Sequence, residues 1–219
     1  GKVHVIATTQ FEATDARRAF PCSDEPEMKA TLKVAPNVPH DYTALSAMKV
    51  ESTSTMSVSA PAELVASVAS LHDSEGGHSQ LLKRVEFANT PLMSTYYLAS
   101  TAGELEFGGS AQVNGKELGF YSTPGKSHQL KFAQQIAAFS LSTYEDYFAI
   151  GYYGGDKIDF IAMPDFAAGA MENLGCVTFR ETALLLDEER STQGELQRVA
   201  DVVAHEIAHM WFGDLVTMG

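Results

Sequence analysis

The first half of the chain contains short runs in which apolar residues alternate with polar ones or cluster as β-branched and aromatic side chains. Runs of this kind, bounded by Pro, Gly and Asn, are typical of β-strands. The clearest lie at residues 2–6, 30–34 and 95–98, whereas residues 71–80 have no periodicity and predict an exposed loop. The pattern therefore predicts a mostly β region up to about residue 112.

The second half mixes helix and strand patterns. Asn114 and Gly115 predict a hairpin turn, and the next elements are a helix within residues 126–148 and strands at 157–162 and 174–180. We place a domain boundary at about residue 112, between a β-rich N-terminal domain (1–112) and a mixed domain (113–219). The predicted fold class is therefore α+β.

The strongest helix signal lies near the end of the chain. Thr192 and Glu195 have the spacing of a capping box, in which each residue caps the backbone of the other. Apolar residues then recur on one face, at Leu196, Val199, Val203, Ile207 and Met210. We expect a helix over residues 193–212 that ends near Gly213, because glycine commonly follows the last turn.

This predicted helix carries the pattern H-E-x-x-H at His205, Glu206 and His209. Four residues span just over one turn, so both imidazoles project from one face and can reach a metal at about 2.0–2.1 Å. Glu206 lies beside them, where its carboxylate can hold and deprotonate a water molecule. The pattern also occurs by chance on solvated helices, but the apolar neighbours here predict a buried segment that a cation would satisfy.

A catalytic zinc ion needs three protein ligands, and after His209 the sequence offers only Asp214. Asp214 lies five residues beyond His209, so its side chain points in another direction on the same helical run. We interpret Asp214 as a group at the helix end or one that supports the ligands. The third ligand is then expected outside residues 1–219, and this stretch alone is not expected to be active.

A second candidate site is Gly-Ala-Met-Glu-Asn at residues 169–173. The small residues allow another backbone to approach closely, and Glu172 on a β edge is suited to pairing with an extended peptide. By themselves, however, these five residues are more typical of a turn that exposes one acid.

Composition and charge exclude some classes of partner. Lys and Arg total 15 against 28 Asp and Glu, a formal net charge of −13, which argues against binding to nucleic acid or an anionic membrane. No apolar run approaches the length of a membrane span. Cys22 and Cys176 lack metal or redox spacing, which favours free thiols over a disulfide.

Signals of cellular location are few. The chain lacks an Asn-x-Ser/Thr glycosylation site with a permitted middle residue, which favours a cytoplasmic protein. It begins with neither a signal peptide nor Met, so we expect it to be a piece of a longer protein.

Together the two motifs resemble the gluzincin aminopeptidases of the aminopeptidase N and puromycin-sensitive type, in which Gly-Ala-Met-Glu-Asn precedes an H-E-x-x-H helix. The resemblance covers nearly the whole chain, in stretches at residues 9–17, 20–26, 93–96, 157–159, 165–169 and 211–218. Ser23, where the family usually has an aromatic residue, and residues 151–156, which replace a proline-bearing loop, depart from the family pattern.

The resemblance implies a zinc-dependent aminopeptidase with a partial all-β N-terminal domain and the beginning of a thermolysin-like α/β catalytic domain. It implies that His205 and His209 bind one Zn²⁺, that a Glu beyond residue 219 is the third ligand, and that Glu206 is the general base. It assigns the α-amine of the substrate to Glu172. The other implied substrate-binding residues are Gly169, Ala170, Met171, Asn173, Gln10 and Glu12.

Two other functions remain open from the sequence. One is a non-catalytic homologue or a segment with a binding or structural role, although every motif residue within the chain is intact. The other is a thermolysin-type endopeptidase, which shares H-E-x-x-H but has no reason to keep Glu12 and Glu172. Only a peptide with a free N-terminal ammonium satisfies both carboxylates, so peptides with free N-termini are the expected partners.

Overall fold

The computed structural model describes residues 4–57 and 81–218, so the loop predicted at residues 71–80 lies outside the described residues. Within those ranges the α-helices are α1 (Lys131–Phe148) and α2 (Gln193–His209). The strands are β1 (Ile6–Thr8), β2 (Asn37–Pro39), β3 (Thr43–Ser46), β4 (Val50–Ser57), β5 (Leu81–Phe87), β6 (Ser100–Gly103), β7 (Glu106–Val113), β8 (Lys116–Ser122), β9 (Lys157–Met163), β10 (Ala170–Met171) and β11 (Cys176–Arg180).

The N-terminal part is built from two antiparallel sheets of three strands, in the orders β1-β6-β3 and β2-β5-β4. Along β5, Val85 and Phe87 are buried against Val38 and Tyr42, which form a small separate core. This alternation matches the periodicity that predicted strands in the first half. The expected β-rich N-terminal region is confirmed. Of the strand predicted at residues 2–6, residues 2 and 3 lie outside the described residues, residues 4 and 5 form no strand, and only residue 6 belongs to β1.

The second part is a mixed five-stranded sheet in the order β10-β11-β9-β8-β7. Strands β8, β9 and β11 run parallel, and β9 is buried along its whole length, as expected for a parallel strand covered on both faces. Helix α1 packs against β7, β8 and α2. The predicted α+β class is confirmed; the boundary proposed at residue 112 falls within β7 and stays a prediction.

The turn between β7 and β8 places Asn114 and Gly115 at positive φ, 48° and 78°. Those angles are what a tight two-residue hairpin requires, and Asn-Gly is the pair that adopts them most readily. The hairpin predicted from this pair is therefore confirmed.

Two predicted strands are wrong. Residues 30–34 are extended but form only one isolated bridge, between Ala30 and Met93. Residues Thr95–Tyr97 form a 3₁₀ turn instead, in which the Leu98 amide donates to the Thr95 carbonyl at 3.2 Å. The rings of Tyr96 and Tyr97 are buried in the core. Aromatic residues here reflect burial rather than strand pairing.

The capping box predicted for α2 is present. The Glu195 amide donates to Thr192 Oγ1 at 3.3 Å, and the Thr192 amide donates to Glu195 Oε2 at 2.8 Å. The helix ends at His209, three residues earlier than predicted, because the Met210 amide bonds to the Ile207 carbonyl and the chain turns. Trp211 then packs against Phe148 of α1, which fixes the end of the helix on the body of the protein.

Two further observations concern the cysteines and the membrane. Cys22 and Cys176 are both free, as expected, and burial raises the pKa of the Cys176 thiol to about 12, so it is unreactive. Neither of the helices in the described part of the chain is long and apolar enough to cross a bilayer.

Candidate active site

The two motif imidazoles converge on the exposed side of α2. The Nε2 atoms of His205 and His209 lie 3.0 Å apart, while Val203 and Ile207 bury the opposite face of the helix. Two ligands of a tetrahedral zinc ion, each at about 2.0–2.1 Å from the metal, would be about 3.3 Å apart. The pair is therefore already within a few tenths of an ångström of the spacing that a shared metal ion needs.

The other nitrogen of His209 fixes the orientation of its ring. His209 Nδ1 lies 2.9 Å from the carbonyl oxygen of Phe212, an acceptor, so Nδ1 carries the proton and donates. This leaves Nε2 with its lone pair directed towards His205. Backbone carbonyls play this part behind many metal-binding histidines, because they set both the tautomer and the direction of the ring.

Glu206 is the buried member of the motif. It is 5% exposed, and its Oε2 has no hydrogen-bond partner within the described ranges. Burial, and then the charges of Glu172 and Glu12, raise its pKa to about 8. The apolar neighbours of the motif predicted a largely buried segment; Glu206 and Ile207 are buried, whereas His205 lies exposed at the cleft.

These observations fit a zinc ion. Two imidazole nitrogens, an unpartnered buried carboxylate and two neighbouring acids form a set of donors, and a cation would relieve the mutual repulsion of the three acids. Within residues 4–57 and 81–218, no group of three or more His, Cys, Asp and Glu side chains forms a metal site. His205 and His209 offer only two nitrogen donors, one fewer than the three protein ligands of a catalytic zinc site.

Glu172 reaches the same cleft from the sheet. Its Oε1 lies 3.8 Å from His209 Nδ1, and its side chain is mostly buried. It follows β10, an edge strand of the five-stranded sheet, which pairs on its other side with β11. Because side chains alternate along a strand, Ala170 and Glu172 share one face.

Met171, between Ala170 and Glu172, and Asn173, after Glu172, direct their side chains to the interior. The Met171 side chain is buried in the hydrophobic core, and the Asn173 amide donates to Thr178 Oγ1 at 3.2 Å. The structure therefore brings Glu172 to the histidines but places the side chains of Met171 and Asn173 on the core side. Gly169 remains open, since a side chain built on it would meet no atom within 4 Å.

The N-terminal part contributes to the same space. Burial and the charge of Glu172 raise the pKa of Glu12, and His209 lowers it, which places the Glu12 carboxylate within electrostatic reach of both. The side-chain oxygen of Gln10 is buried and has no partner in the described structure. Glu12 of the N-terminal part thus comes near Glu172 and His209, although it is far from both in sequence.

Asp214 and the neighbouring residues Tyr96 and Tyr97 lie behind the site. The sequence analysis did not place the two tyrosines there. Asp214 is fully buried; burial and then Glu172 raise its pKa, whereas Lys29 lowers it. The hydroxyl groups of Tyr96 and Tyr97 hydrogen-bond to each other, and Asp214 also raises the pKa values of both, after burial and other causes. The sequence alone could not place Tyr96 and Tyr97 at this site, because only the three-dimensional fold brings Tyr97 next to Gly213.

A pocket of about 400 Å³ opens beside the motif helix. Its lining residues are Gly169, Ala170, Asp201, Val202, His205 and Glu206. The sequence analysis did not identify Asp201 as a site residue, although it lies four residues before His205 and therefore on the same helical face.

Comparison with known proteins identifies the family of the chain. Residues 132–219 match the model of the Peptidase family M1 domain, and residues 1–57 match that of the Peptidase M1 N-terminal domain. The chain belongs to the M1 peptidase family. The resemblance inferred from the two motifs and the fold class that it implied are confirmed by these matches.

Several known proteins match this chain over 218 of its 219 residues. Aminopeptidase M1-A of Oryza sativa subsp. japonica is 44% identical, puromycin-sensitive aminopeptidase of Caenorhabditis elegans 41%, and glutamyl aminopeptidase of Sus scrofa 38%. The chain spans only about a fifth of the length of these relatives, 22%, 21% and 21% respectively.

Proposed function

We propose that the protein acts as a zinc-dependent aminopeptidase that hydrolyses the N-terminal peptide bond of peptides. The observation that carries the proposal is the convergence of His205, His209 and the unpartnered Glu206 carboxylate with Glu172 in one cleft. Relatives along the whole chain are named aminopeptidases, which supports the same class.

In this proposal His205 and His209 hold one Zn²⁺ through their Nε2 atoms, and a Glu beyond residue 219 is the third ligand. When bound, the zinc ion supplies Lewis-acid chemistry, acidifying water and polarising the scissile carbonyl. The Phe212 carbonyl keeps His209 in the tautomer that leaves Nε2 available. The described residues therefore fix ligand direction before any metal binds.

Glu206 is the proposed general base. Its carboxylate lines the pocket and lacks a partner, so it is free to accept a proton from the attacking water and to return that proton to the leaving amine. Burial, which raises its pKa, strengthens it as a proton acceptor.

Glu172 and Glu12 are the proposed anchors for the α-ammonium group of the substrate. Each raises the pKa of the buried Glu206, and Glu172 raises that of Glu12, so the three acids repel one another. A positive ammonium group placed among them removes this repulsion, whereas an internal or acetylated peptide bond does not. This distinguishes the proposal from a thermolysin-type endopeptidase, which has no use for the two extra carboxylates.

The backbone of the substrate is proposed to lie along Gly169 and Ala170, with Gln10 contributing near the amine. Strand β10 is an edge strand, so its outer backbone groups are placed to pair with an extended peptide. Met171 and Asn173 take part through the backbone, because their side chains face the core.

Chelation and blocking of the substrate amine test the proposed function. The full-length protein should cleave a peptide with a free N-terminal alanine, release alanine as the first product, and leave the N-acetylated peptide intact. Removal of zinc by a chelator should abolish the reaction, and added Zn²⁺ should restore it. Equal cleavage of the free and acetylated peptides would show an endopeptidase instead.

Replacement of Glu172 by Gln tests the amine anchor. The variant should lose about 1.5–3 kcal/mol of binding to substrates and inhibitors with a free amine, the usual worth of a hydrogen bond to a charged group. Inhibition constants for a free-amine inhibitor and its N-acetyl counterpart measure this, and only the former should weaken. Glu189→Gln, which neutralises an exposed acid outside the cleft, is the matched control. Equal weakening of both inhibitors would mean that Glu172 acts on the site as a whole.

A further inference from the structure

The pocket beside α2 contains an acid that the proposed chemistry does not use. Asp201 lines the pocket together with Gly169, Ala170 and the catalytic-motif residues His205 and Glu206. It is exposed to the pocket, and it forms no ion pair in the described part of the chain, although Arg198 lies three residues before it on the helix. A carboxylate without an ion-pair partner in the described structure thus lines the same pocket as His205 and Glu206.

The direction of a bound peptide follows from the position of Glu172. If the amine lies at Glu172, the peptide must run from there towards Ala170 and Gly169, opposite to the direction of β10. From Glu172 to Ala170 is two strand residues, about 6.6–6.8 Å, which is also the length of a dipeptide unit. The second residue of the substrate therefore lies opposite Gly169 and Ala170, at the mouth of the pocket.

Helix α2 supplies the remaining lining residues of the pocket, beside Gly169 and Ala170. Asp201 lies four residues before His205, which is about 6 Å along the helix axis and on the same face. Glu206, 5% exposed and with an unpartnered Oε2, marks the reacting end of the pocket, and Asp201 marks the far end. A Lys or Arg side chain that leaves the backbone near Gly169 is long enough to bring its cationic group to Asp201.

We propose that this pocket binds the side chain of the second residue of the substrate and that Asp201 makes it selective for a cationic residue, Lys or Arg. The inference rests on the proposed aminopeptidase function and names the class of substrate. Gly169 suits this use, because no atom lies within 4 Å of the position where a side chain would begin. The pocket volume of about 400 Å³ accommodates a long side chain.

The test compares two peptides that differ only in charge at the second position, alanyl-lysyl-alanine and alanyl-norleucyl-alanine. In the zinc-loaded, full-length protein kcat/KM should be about two- to fivefold higher for the lysyl peptide, the range of a solvent-accessible ion pair. The ratio should fall as salt is raised, since salt screens exposed charges. Asp201→Asn should bring the ratio to about one, and Asp201→Lys should reverse it.

Asp146→Asn is the matched control, because it removes an exposed acid from α1, outside the pocket, and should keep the ratio of the unaltered protein. Equilibrium binding of both peptides to Glu206→Gln, with and without Asp201→Asn, should show the same preference without turnover. A ratio of one in the unaltered protein, or a preference that survives Asp201→Asn, overturns the pocket assignment alone. If alanyl-norleucyl-alanine is not cleaved, or its N-acetyl form is cleaved equally well, the aminopeptidase function itself fails.

Discussion

Replacement of Glu206 by Gln in the zinc-loaded, full-length protein is expected to lower kcat by about 10²–10⁴-fold, the usual contribution of a positioned general base. The change keeps the size of the side chain and removes only its ability to accept a proton. The unpartnered, buried Oε2 is the atom concerned. Since the proposed ligand atoms belong to His205 and His209, zinc content should remain near one ion per protein chain.

The separate measurement of metal content and turnover distinguishes the roles of the motif residues. His205→Ala should lose both zinc and activity, because it removes one of the two converging Nε2 atoms. Glu188→Gln, a change at an exposed acid outside the motif, should leave both unchanged. Loss of zinc from Glu206→Gln as complete as that from His205→Ala would make Glu206 a ligand and remove the basis for its role as general base.

The parts of the site that were predictable from sequence depend on local periodicity. The four-residue spacing of His205 and His209 determines that they share a helical face, and the Thr192 and Glu195 pair determines where that helix begins. The Asn114 turn is local in the same sense. Each of these predictions depended only on residues that lie a few positions apart in the sequence.

The parts that were not predictable depend on contacts between distant segments. The rings of Tyr96 and Tyr97 suggested a strand, but their burial in the core accompanies a 3₁₀ turn. The 3.8 Å separation of Glu172 and His209, like the place of Asp201 in the pocket, depends on how β10 lies beside α2. Family resemblance suggested the role of Glu172; no pattern within the sequence specified its position.

A buried ammonium group bonds across the join between the N-terminal sheets and the five-stranded sheet. Lys157 of β9 donates through Nζ to the Ser46 carbonyl, to Asp159 Oδ2 and, at 2.8 Å, to the Gly175 carbonyl. All three donors of the ammonium group are therefore used. Ser46 ends β3 of the N-terminal part, whereas Asp159 lies in β9 and Gly175 directly precedes β11 of the five-stranded sheet. At Gly175 the φ angle is +66°, and a Cβ there would lie 2.0 Å from the Ala47 carbonyl oxygen.

Replacement of Lys157 by Met should therefore lower the free energy of unfolding by about 3–5 kcal/mol, the cost of leaving one partner of a buried ion pair alone. Burial already raises the pKa of Asp159, and Lys157 offsets part of that rise. Without Lys157 the pKa of the Asp159 carboxyl rises further above its unfolded value, so the stability deficit of the variant should shrink as pH is lowered towards that unfolded value, about 4.

Urea unfolding of Lys157→Met, with Lys49→Met as the matched control, measures this. Lys49 pairs with Asp156 at 2.7 Å on the surface, where water already solvates both groups, so its loss should change stability little. Adding Asp159→Asn to Lys157→Met should recover part of the stability, because it removes the unpaired buried charge. If Lys157→Met were no more destabilising than Lys49→Met, the ammonium group would add little to the join, and the hydrophobic core shared by the two parts would hold them together.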